Sequence, residues 1–177
     1  ILDQLSSACG MRGRAMLMDC RTQVLHPVPL PDDIAVVIAD TGKRRGLVDS
    51  AYNERRQQCE AGAAALGVSH LRDVDLHALR TAAADRVIDA DTLRRCQHVV
   101  AENGRTLAAA ACLRAGDAVA LGALMDASHA DLRDRFQVTC PELDVMTTIA
   151  RSLDGCLGSR MTGAGFGGCA IALVRTE

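Results

Sequence analysis

Near its end the chain reads Met161-Thr-Gly-Ala-Gly-Phe-Gly-Gly-Cys169, and the apolar run Ala170-Ile-Ala-Leu-Val174 follows at once. Four glycines within six residues predict a bend with positive φ angles that passes close to another part of the molecule. Main-chain N–H groups in such a bend can converge on an anion, above all a phosphate. A tight turn or bulge that leads into a strand explains the glycines equally well. The run is neither a Walker loop nor a dinucleotide-binding fingerprint, because it lacks Gly-Lys-Ser/Thr and leads into a strand.

The composition bounds the class of protein. The chain has 177 residues, of which 49% are hydrophobic and only 2% aromatic, so its core must consist of Ala, Leu, Val, Ile and Met. The net charge is −2, and the basic residues are spread along the chain, which favours neither nucleic acid nor a charged membrane surface as a partner. There is no apolar stretch of membrane-spanning length and no signal-peptide pattern, and we expect a cytoplasmic protein.

The first part of the chain predicts short elements. A helix over residues 1–10 precedes two paired strands at 15–18 and 24–25, with a polar turn between them. Residues 26–33 contain three of the four prolines, which predicts an extended connector and a domain boundary. The continuous apolar run Ile34-Ala-Val-Val-Ile38 predicts a strand covered on both faces.

The remainder is mostly helical. Apolar spacing and glycine positions predict helices over about 50–66, 76–84 and 91–114, a further helix from Asp117, and one from Pro141 to about Leu153. Strands follow at about 158–161 and 170–174. Helices between well-separated strands predict an α+β fold.

Four stretches together carry a resemblance to a known family. Met161–Cys169 resembles the third signature motif of galactokinases, within the GHMP family of small-molecule kinases. Ile1-Leu-Asp-Gln-Leu-Ser-Ser-Ala-Cys-Gly10 is similar to the family segment with the catalytic aspartate, and Ser50-Ala-Tyr-Asn-Glu-Arg-Arg56 to the helix start with a sugar-contacting tyrosine. The fourth, Ser128-His-Ala-Asp-Leu-Arg-Asp134 with Val138-Thr-Cys-Pro-Glu-Leu-Asp144, is typical of galactokinases in particular.

The resemblance implies a ferredoxin-like C-terminal domain, an antiparallel sheet backed by helices. On this basis residues 1–31 form the tail of the N-terminal GHMP kinase domain, and residues 32–177 form the C-terminal domain, truncated at its end. We expect the chain to be a fragment that is inactive alone. The family's phosphate-binding loop and magnesium ligands would then lie upstream, with no metal ligand in this chain.

The site residues are also implied by the resemblance. Asp3 would act as general base on the sugar hydroxyl, although an aspartate at a helix start is also a common N-cap. Tyr52, the only tyrosine, would contact the sugar, although on an amphipathic helix such a residue usually packs. The active-site loop would comprise Gly163, Ala164, Gly165, Phe166, Gly167 and Gly168.

Other polar residues have simpler interpretations. Arg55 and Arg56 are interpreted as structural, paired for example with Glu54 or Glu60. Lys43 lies in a basic run that favours a solvated loop over a phosphate contact. His129 is interpreted as a hydrogen-bonding surface residue rather than an acid–base group.

The implied activity is ATP-dependent phosphorylation of D-galactose at O1, with Mg²⁺, by a parent enzyme that is a monomer and binds only small molecules. Three alternatives stay open. The parent could be a GHMP kinase for N-acetylgalactosamine or arabinose, or a non-catalytic galactokinase-like sensor that regulates transcription. The chain by itself could also be a packing module without activity.

Overall fold

The computed structural model describes residues 2–44 and 48–176, and the side chains of 4–44 and 51–176. The elements in chain order are α1 (Leu2–Cys9), β1 (Arg14–Met18), β2 (Leu25–Pro29), β3 (Ile34–Asp40), α2 (Val48–Ala65), a 3-10 turn (Leu71–Asp73), α3 (Leu76–Ala84), α4 (Ala90–Ala115), α5 (Ala118–Asp131), a π-helical turn (Leu132–Phe136), α6 (Pro141–Arg151), β4 (Cys156–Met161) and β5 (Cys169–Arg175).

The strands form two antiparallel sheets. β1 and β2 make a two-stranded sheet, and the second sheet has the order β3-β5-β4. Helices α5 and α6 pack on β4, and α6 also packs on β5. The predicted α+β fold, an antiparallel sheet backed by helices, is confirmed. None of the helices in the described ranges is both long enough and apolar enough to cross a membrane.

The proline-rich segment is a strand, not a connector. Pro27 pairs with Met16 and Pro29 with Arg14. The N–H of Leu30 donates to the Gly13 carbonyl at 3.0 Å, and because strand residues alternate in direction, the two proline nitrogens face the open edge. There a missing N–H costs no hydrogen bond, which is why prolines occur on edge strands.

The prediction that β3 is covered on both faces is wrong. β3 pairs with β5 along one edge only, and its central side chains are largely exposed: Val36 at 49%, Val37 at 48% and Ile38 at 70%. A continuous apolar run is typical of a central strand, and here it lies at the edge of the sheet.

Aspartate and proline begin most of the later helices. Asp75, Asp89 and Asp117 each accept N–H groups of the first turn that follows, and Pro141 occupies the first turn of α6. The helix predicted to start at Asp117 is α5, and it passes at Leu132 into the π-helical turn, which the sequence did not indicate.

Helix α5 lies against the outer edge of β4 at backbone contact. A Cβ on Gly158 would lie 2.6 Å from the Gly122 Cα, and one on Gly122 would overlap the Leu157 carbonyl. Only two facing glycines allow this approach. The contact positions α5 to reach the main chain of β4 with its side chains.

Two apolar clusters stabilise the described chain. One is centred on Ala63, Leu71, Leu79 and Cys96, between α2, α3 and α4. The other contains Leu132, Val138, Leu143, Met161 and Ala170, with Phe136 and Phe166 packed against it. The second cluster lies at the base of the glycine-rich segment and gives it a rigid support.

Candidate functional site

The glycine-rich segment is the loop of the β4–β5 hairpin. We call residues 162–168 the glycine loop; the Thr162 N–H closes it by donating to the Cys169 carbonyl at 3.0 Å. Its φ angles are positive at five positions, Gly163, Gly165, Phe166, Gly167 and Gly168. Both the turn and the predicted close approach are therefore present.

What the loop approaches is protein backbone. The Phe166 N–H donates to the Val138 carbonyl at 2.7 Å, and the Gly168 N–H donates to the Lys43 carbonyl at 3.1 Å. These two N–H groups are therefore occupied by protein and do not face an anion. A Cβ on Gly165 would lie 3.0 Å from the Val138 carbonyl carbon and closer still to its oxygen. Glycine is required there for a steric reason that is independent of any ligand.

The other side of the loop faces a cleft of about 290 Å³. Gly163 and Ala164 form one wall and Tyr52 another, with the remainder from Arg55, Arg56, Leu132, Phe136 and Val138. The Tyr52 side chain belongs to α2 and is 51% exposed. The structure thus brings together two of the features that the sequence singled out, although they lie more than a hundred residues apart.

Arginines from α2 and α4 hold the wall of this cleft in place. The Arg55 Nε donates to the Phe136 carbonyl at 2.8 Å, and Arg95 donates to the Arg135 carbonyl and to the Gln137 side chain. Arg55 also pairs with Glu54 at 3.0 Å. Since the guanidinium groups satisfy carbonyls that the π-helical turn leaves free, they fix its shape.

The predicted structural pairing of the Arg55-Arg56 pair is observed. Arg56 pairs with Glu60 at 2.7 Å, one helical turn away. Both arginines nevertheless line the cleft.

Asp3 lies in the first turn of α1, which begins at Leu2. Its side chain is outside the part of the chain that the structure describes. Its predicted role as general base therefore stays a prediction.

Lys43 lies in an exposed loop, as the sequence predicts, and its side chain is paired. Its Nζ donates to Glu142 Oε1 at 2.8 Å, at the start of α6. The hydrogen bond from Lys43 is the largest cause that lowers the pKa of Glu142 to about 2, so the carboxylate is charged at any physiological pH. The pair connects α6 to the segment whose carbonyl binds Gly168.

His129 is buried, at 1% exposure, and the interpretation as a surface residue is wrong. The Met161 N–H donates to its Nδ1 at 3.1 Å, while Nε2 lies 3.1 Å from Asp144 Oδ1 and 3.0 Å from Thr147 Oγ1. Burial is the main cause that lowers the pKa of His129, and Arg151 adds to it. The imidazole is therefore neutral at pH 7.

A second buried network surrounds Asp131. Its carboxylate accepts from His98 at 3.1 Å, from Arg135 at 3.0 Å and from Arg105, and His98 stacks on Phe136 with 4.5 Å between ring centroids. Burial lowers the pKa of His98. Ser128 donates from its hydroxyl to Glu102 of α4, so Ser128 and Asp131 of the fourth stretch link α5 to α4, and His129 links α5 to the sheet.

A larger cavity of about 600 Å³ lies between the β1–β2 turn, α2 and α4. Of the residues that the sequence singled out, Arg56 lines it, but Tyr52 and the glycine loop do not. Its charged groups bind each other: Arg72 donates to Asp19 at 2.7 and 3.0 Å, and Arg56 pairs with Glu60. The smaller cleft is the candidate site because Tyr52 and the glycine loop both line it.

Within the described residues, no three His, Cys, Asp or Glu side chains are grouped so as to hold a metal ion.

Comparison with known proteins agrees with this fold. Residues 109–177 match the family described as "GHMP kinases C terminal". The crystal structure of Lactococcus lactis galactokinase complexed with galactose is similar over 98% of this chain, with 38% identity and a TM-score of 0.90. L. major mevalonate kinase in complex with R-mevalonate is similar over 93% of this chain, with 20% identity and a TM-score of 0.56, a likeness of fold alone.

In its residues 109–177 the chain matches the C-terminal domain of GHMP kinases. Over nearly its whole length it is similar to a galactokinase, of which it spans 46%.

Proposed function

We propose that this chain is the C-terminal portion of a galactokinase, which transfers the γ-phosphoryl group of ATP to the O1 hydroxyl of D-galactose. The observation that carries the proposal is the cleft shared by Tyr52 and the glycine loop. It occurs in a chain that is 38% identical to a galactokinase crystallised with galactose. At about 290 Å³, the cleft lies at the lower end of the roughly 300–1,000 Å³ typical of ligand pockets, which suits a monosaccharide.

In the proposed site Tyr52 binds the sugar. Its half-exposed ring offers an apolar face to a hexose, and its hydroxyl offers a hydrogen bond to a ring substituent. The walls from Gly163 and Ala164 carry almost no side chain, so a sugar can approach the loop backbone closely.

Asp3 is the proposed general base, which takes the proton of the O1 hydroxyl or aligns that oxygen with the phosphoryl group. Phosphoryl transfer requires mainly positioning and charge stabilisation, and Mg²⁺ neutralises the phosphates of the bound nucleotide. We place the groups that bind ATP and Mg²⁺ in the part of the galactokinase that this chain does not span.

The same proposal divides the chain into two domains. Residues 1–31 belong to the N-terminal domain and 32–177 to the C-terminal domain, with the boundary between β2 and β3. Support comes from the sheets, because β1 and β2 pair only with each other and the sheet of β3, β4 and β5 is separate.

Substitution of Asp3 in the full-length protein tests the chemistry. We expect Asp3→Asn and Asp3→Ala to lower kcat by about 10²–10⁴, the usual contribution of a general base, with sugar binding retained. The matched control is Asp154→Asn, an exposed aspartate next to the opposite end of β4 from the glycine loop. A kcat within a few-fold of the unmodified enzyme for both Asp3 variants would remove Asp3 from the chemistry.

The choice of sugar is tested separately, by comparing kcat/KM for galactose, N-acetylgalactosamine and arabinose. A preference for either of the last two would replace galactose within the same reaction class. Sugar binding without turnover by the unmodified full-length protein would favour the non-catalytic sensor.

A further inference from the structure

The glycine loop is held at three points by one short segment, residues 138–144. The Val138 carbonyl accepts the Phe166 N–H directly. Glu142 and Asp144 act at the two ends of the loop, each through an intermediate residue. The Val138-Thr-Cys-Pro-Glu-Leu-Asp144 stretch therefore holds the glycine loop in addition to starting α6.

At the C-terminal end of the loop the intermediate residue is Lys43. Its side chain binds Glu142 and its carbonyl accepts the Gly168 N–H at 3.1 Å. The neighbouring Thr41 adds two bonds to the Gly168 carbonyl, from its N–H at 3.1 Å and from its hydroxyl at 2.7 Å. The ion pair therefore fixes the strand end against which the loop closes.

At the N-terminal end the intermediate residue is His129. The Thr162 N–H faces β5, so the preceding N–H, that of Met161, faces the outer edge of β4, where no strand pairs. A side chain of α5 takes the place of that strand. Two residues earlier the Ser159 N–H is bound in the same way, by Asp126 at 2.8 Å.

The bond at Met161 determines the state of the His129 ring. Since Nδ1 accepts an N–H, it carries no proton, and the proton of the neutral ring is on Nε2. That proton points towards Asp144 and Thr147. The imidazole is thus a directed link from the start of α6 to the last residue of β4.

We infer that His129 and Glu142 are positioning residues of the proposed sugar site: through the Met161 N–H and the Lys43 carbonyl they set the conformation of the glycine loop. The inference rests on the proposed function, since Gly163 and Ala164 line the cleft directly after the His129 link. A displacement of about 1 Å at a reacting site can cost 10²-fold in rate.

Two substitutions separate the two bonds of His129. In His129→Asn the amide oxygen can occupy the place of Nδ1 and accept the Met161 N–H, whereas the shorter side chain does not reach Asp144. In His129→Gln the amide reaches the place of Nε2, and Met161 loses its acceptor. The two variants are alike in polarity. If His129 only filled space in the core, both variants should therefore have effects of similar size.

The readouts are hydrogen exchange of residues 158–165 in the full-length protein and steady-state kinetics. We expect His129→Gln to accelerate exchange of this segment about tenfold and to raise the sugar KM about tenfold, with the ATP KM unchanged. His129→Asn should stay within about threefold of the unmodified enzyme in both. Exchange in β5 should not change in either variant.

Glu142→Gln tests the other end of the loop. We expect it to raise the sugar KM several-fold. The matched control is Asp33→Asn, which breaks the exposed 3.6 Å pair with Arg175 at the opposite end of β5 from the loop; its sugar KM should not change.

Equal effects of the two His129 variants would overturn the inference, and so would equal acceleration in β5, which reports a loss of overall stability. An unchanged sugar KM in Glu142→Gln would show that Glu142 is not a positioning residue of the sugar site. Hydrogen exchange is measured without substrate, so it tests the loop contact independently of the proposed function. If the unmodified full-length protein phosphorylates no sugar, the proposed function fails. Faster exchange in His129→Gln but not in His129→Asn would still establish that His129 holds the loop.

Discussion

Gly165→Ala perturbs the point where the glycine loop lies closest to the rest of the chain. Gly165 has a φ of +86°, and its new Cβ would meet the Val138 carbonyl group. The neighbour is backbone, so no side-chain rotation can relieve the overlap. The adjacent Phe166 N–H bond to the same carbonyl would lengthen or break.

The magnitude follows from three contributions. The left-handed backbone costs about 1–2 kcal/mol for a residue with a Cβ. Overpacking adds about 1–3 kcal/mol, and loss of the hydrogen bond adds about 0.5–1.5 kcal/mol. Gly155→Ala isolates the first contribution, because Gly155 has a φ of +81° and nothing within 4 Å of its Cβ position. We therefore expect Gly165→Ala to destabilise by about 2–4 kcal/mol more than Gly155→Ala.

Thermal unfolding of the two variants measures this difference. At about 2–4 °C per kcal/mol for a protein of this size, the Tm of Gly165→Ala should be lower than that of Gly155→Ala by about 4–16 °C. Equal Tm values would contradict this prediction, because they would show that Gly165 does not lie in close contact with the Val138 carbonyl.

Three further predictions follow from the same structure. Tyr52→Phe should raise the KM for galactose about 2–12-fold, the equivalent of one hydrogen bond, and leave the ATP KM unchanged. A raised ATP KM with an unchanged galactose KM would contradict the proposal that Tyr52 contacts the sugar. The 177-residue chain alone should show no kinase activity and should associate through the exposed β3 edge, so Ile38→Lys should reduce light scattering; a monomer at all concentrations would contradict this. The lowered pKa of His129 means that stability is fully present above about pH 6.5 and falls as the pH drops towards the folded-state pKa, because the unfolded ring takes up the proton first. The difference between the urea midpoints at pH 7.5 and 5.5 should therefore become smaller in His129→Asn, with His98 supplying part of what remains, and an undiminished difference there would exclude His129 as a source.

Local signals predicted most elements of the fold. Apolar spacing, glycine ends and a proline in the first turn predict helices α3 to α6 to within a few residues, because these signals are local. The predictions that the structure contradicts concern features that depend on tertiary contacts. Whether Ile34–Asp40 is central or at an edge depends on which strands pair with it, and composition does not contain that information.

The site was predicted in its parts but not in its connections. Tyr52 and the glycine run were identified from the resemblance, and only the folded chain shows that they share a cleft. The sequence did not predict the residues that hold the glycine loop in place. The interpretation of His129 as a surface residue is wrong and the link from Glu142 is not predicted, since a sequence does not show which backbone groups a distant side chain meets. The galactokinase-like stretch over residues 138–144 is the available signal in the sequence.

The proposed activity is tested by galactose-dependent ADP release by the full-length protein, with the product identified by ³¹P NMR. We expect ADP to appear with galactose and ATP–Mg²⁺ and the new phosphate to be on O1. We also expect Tyr52→Phe and His129→Gln to raise the galactose KM. No ADP release with galactose or with any related sugar would contradict the claim that this cleft is the sugar site of a kinase.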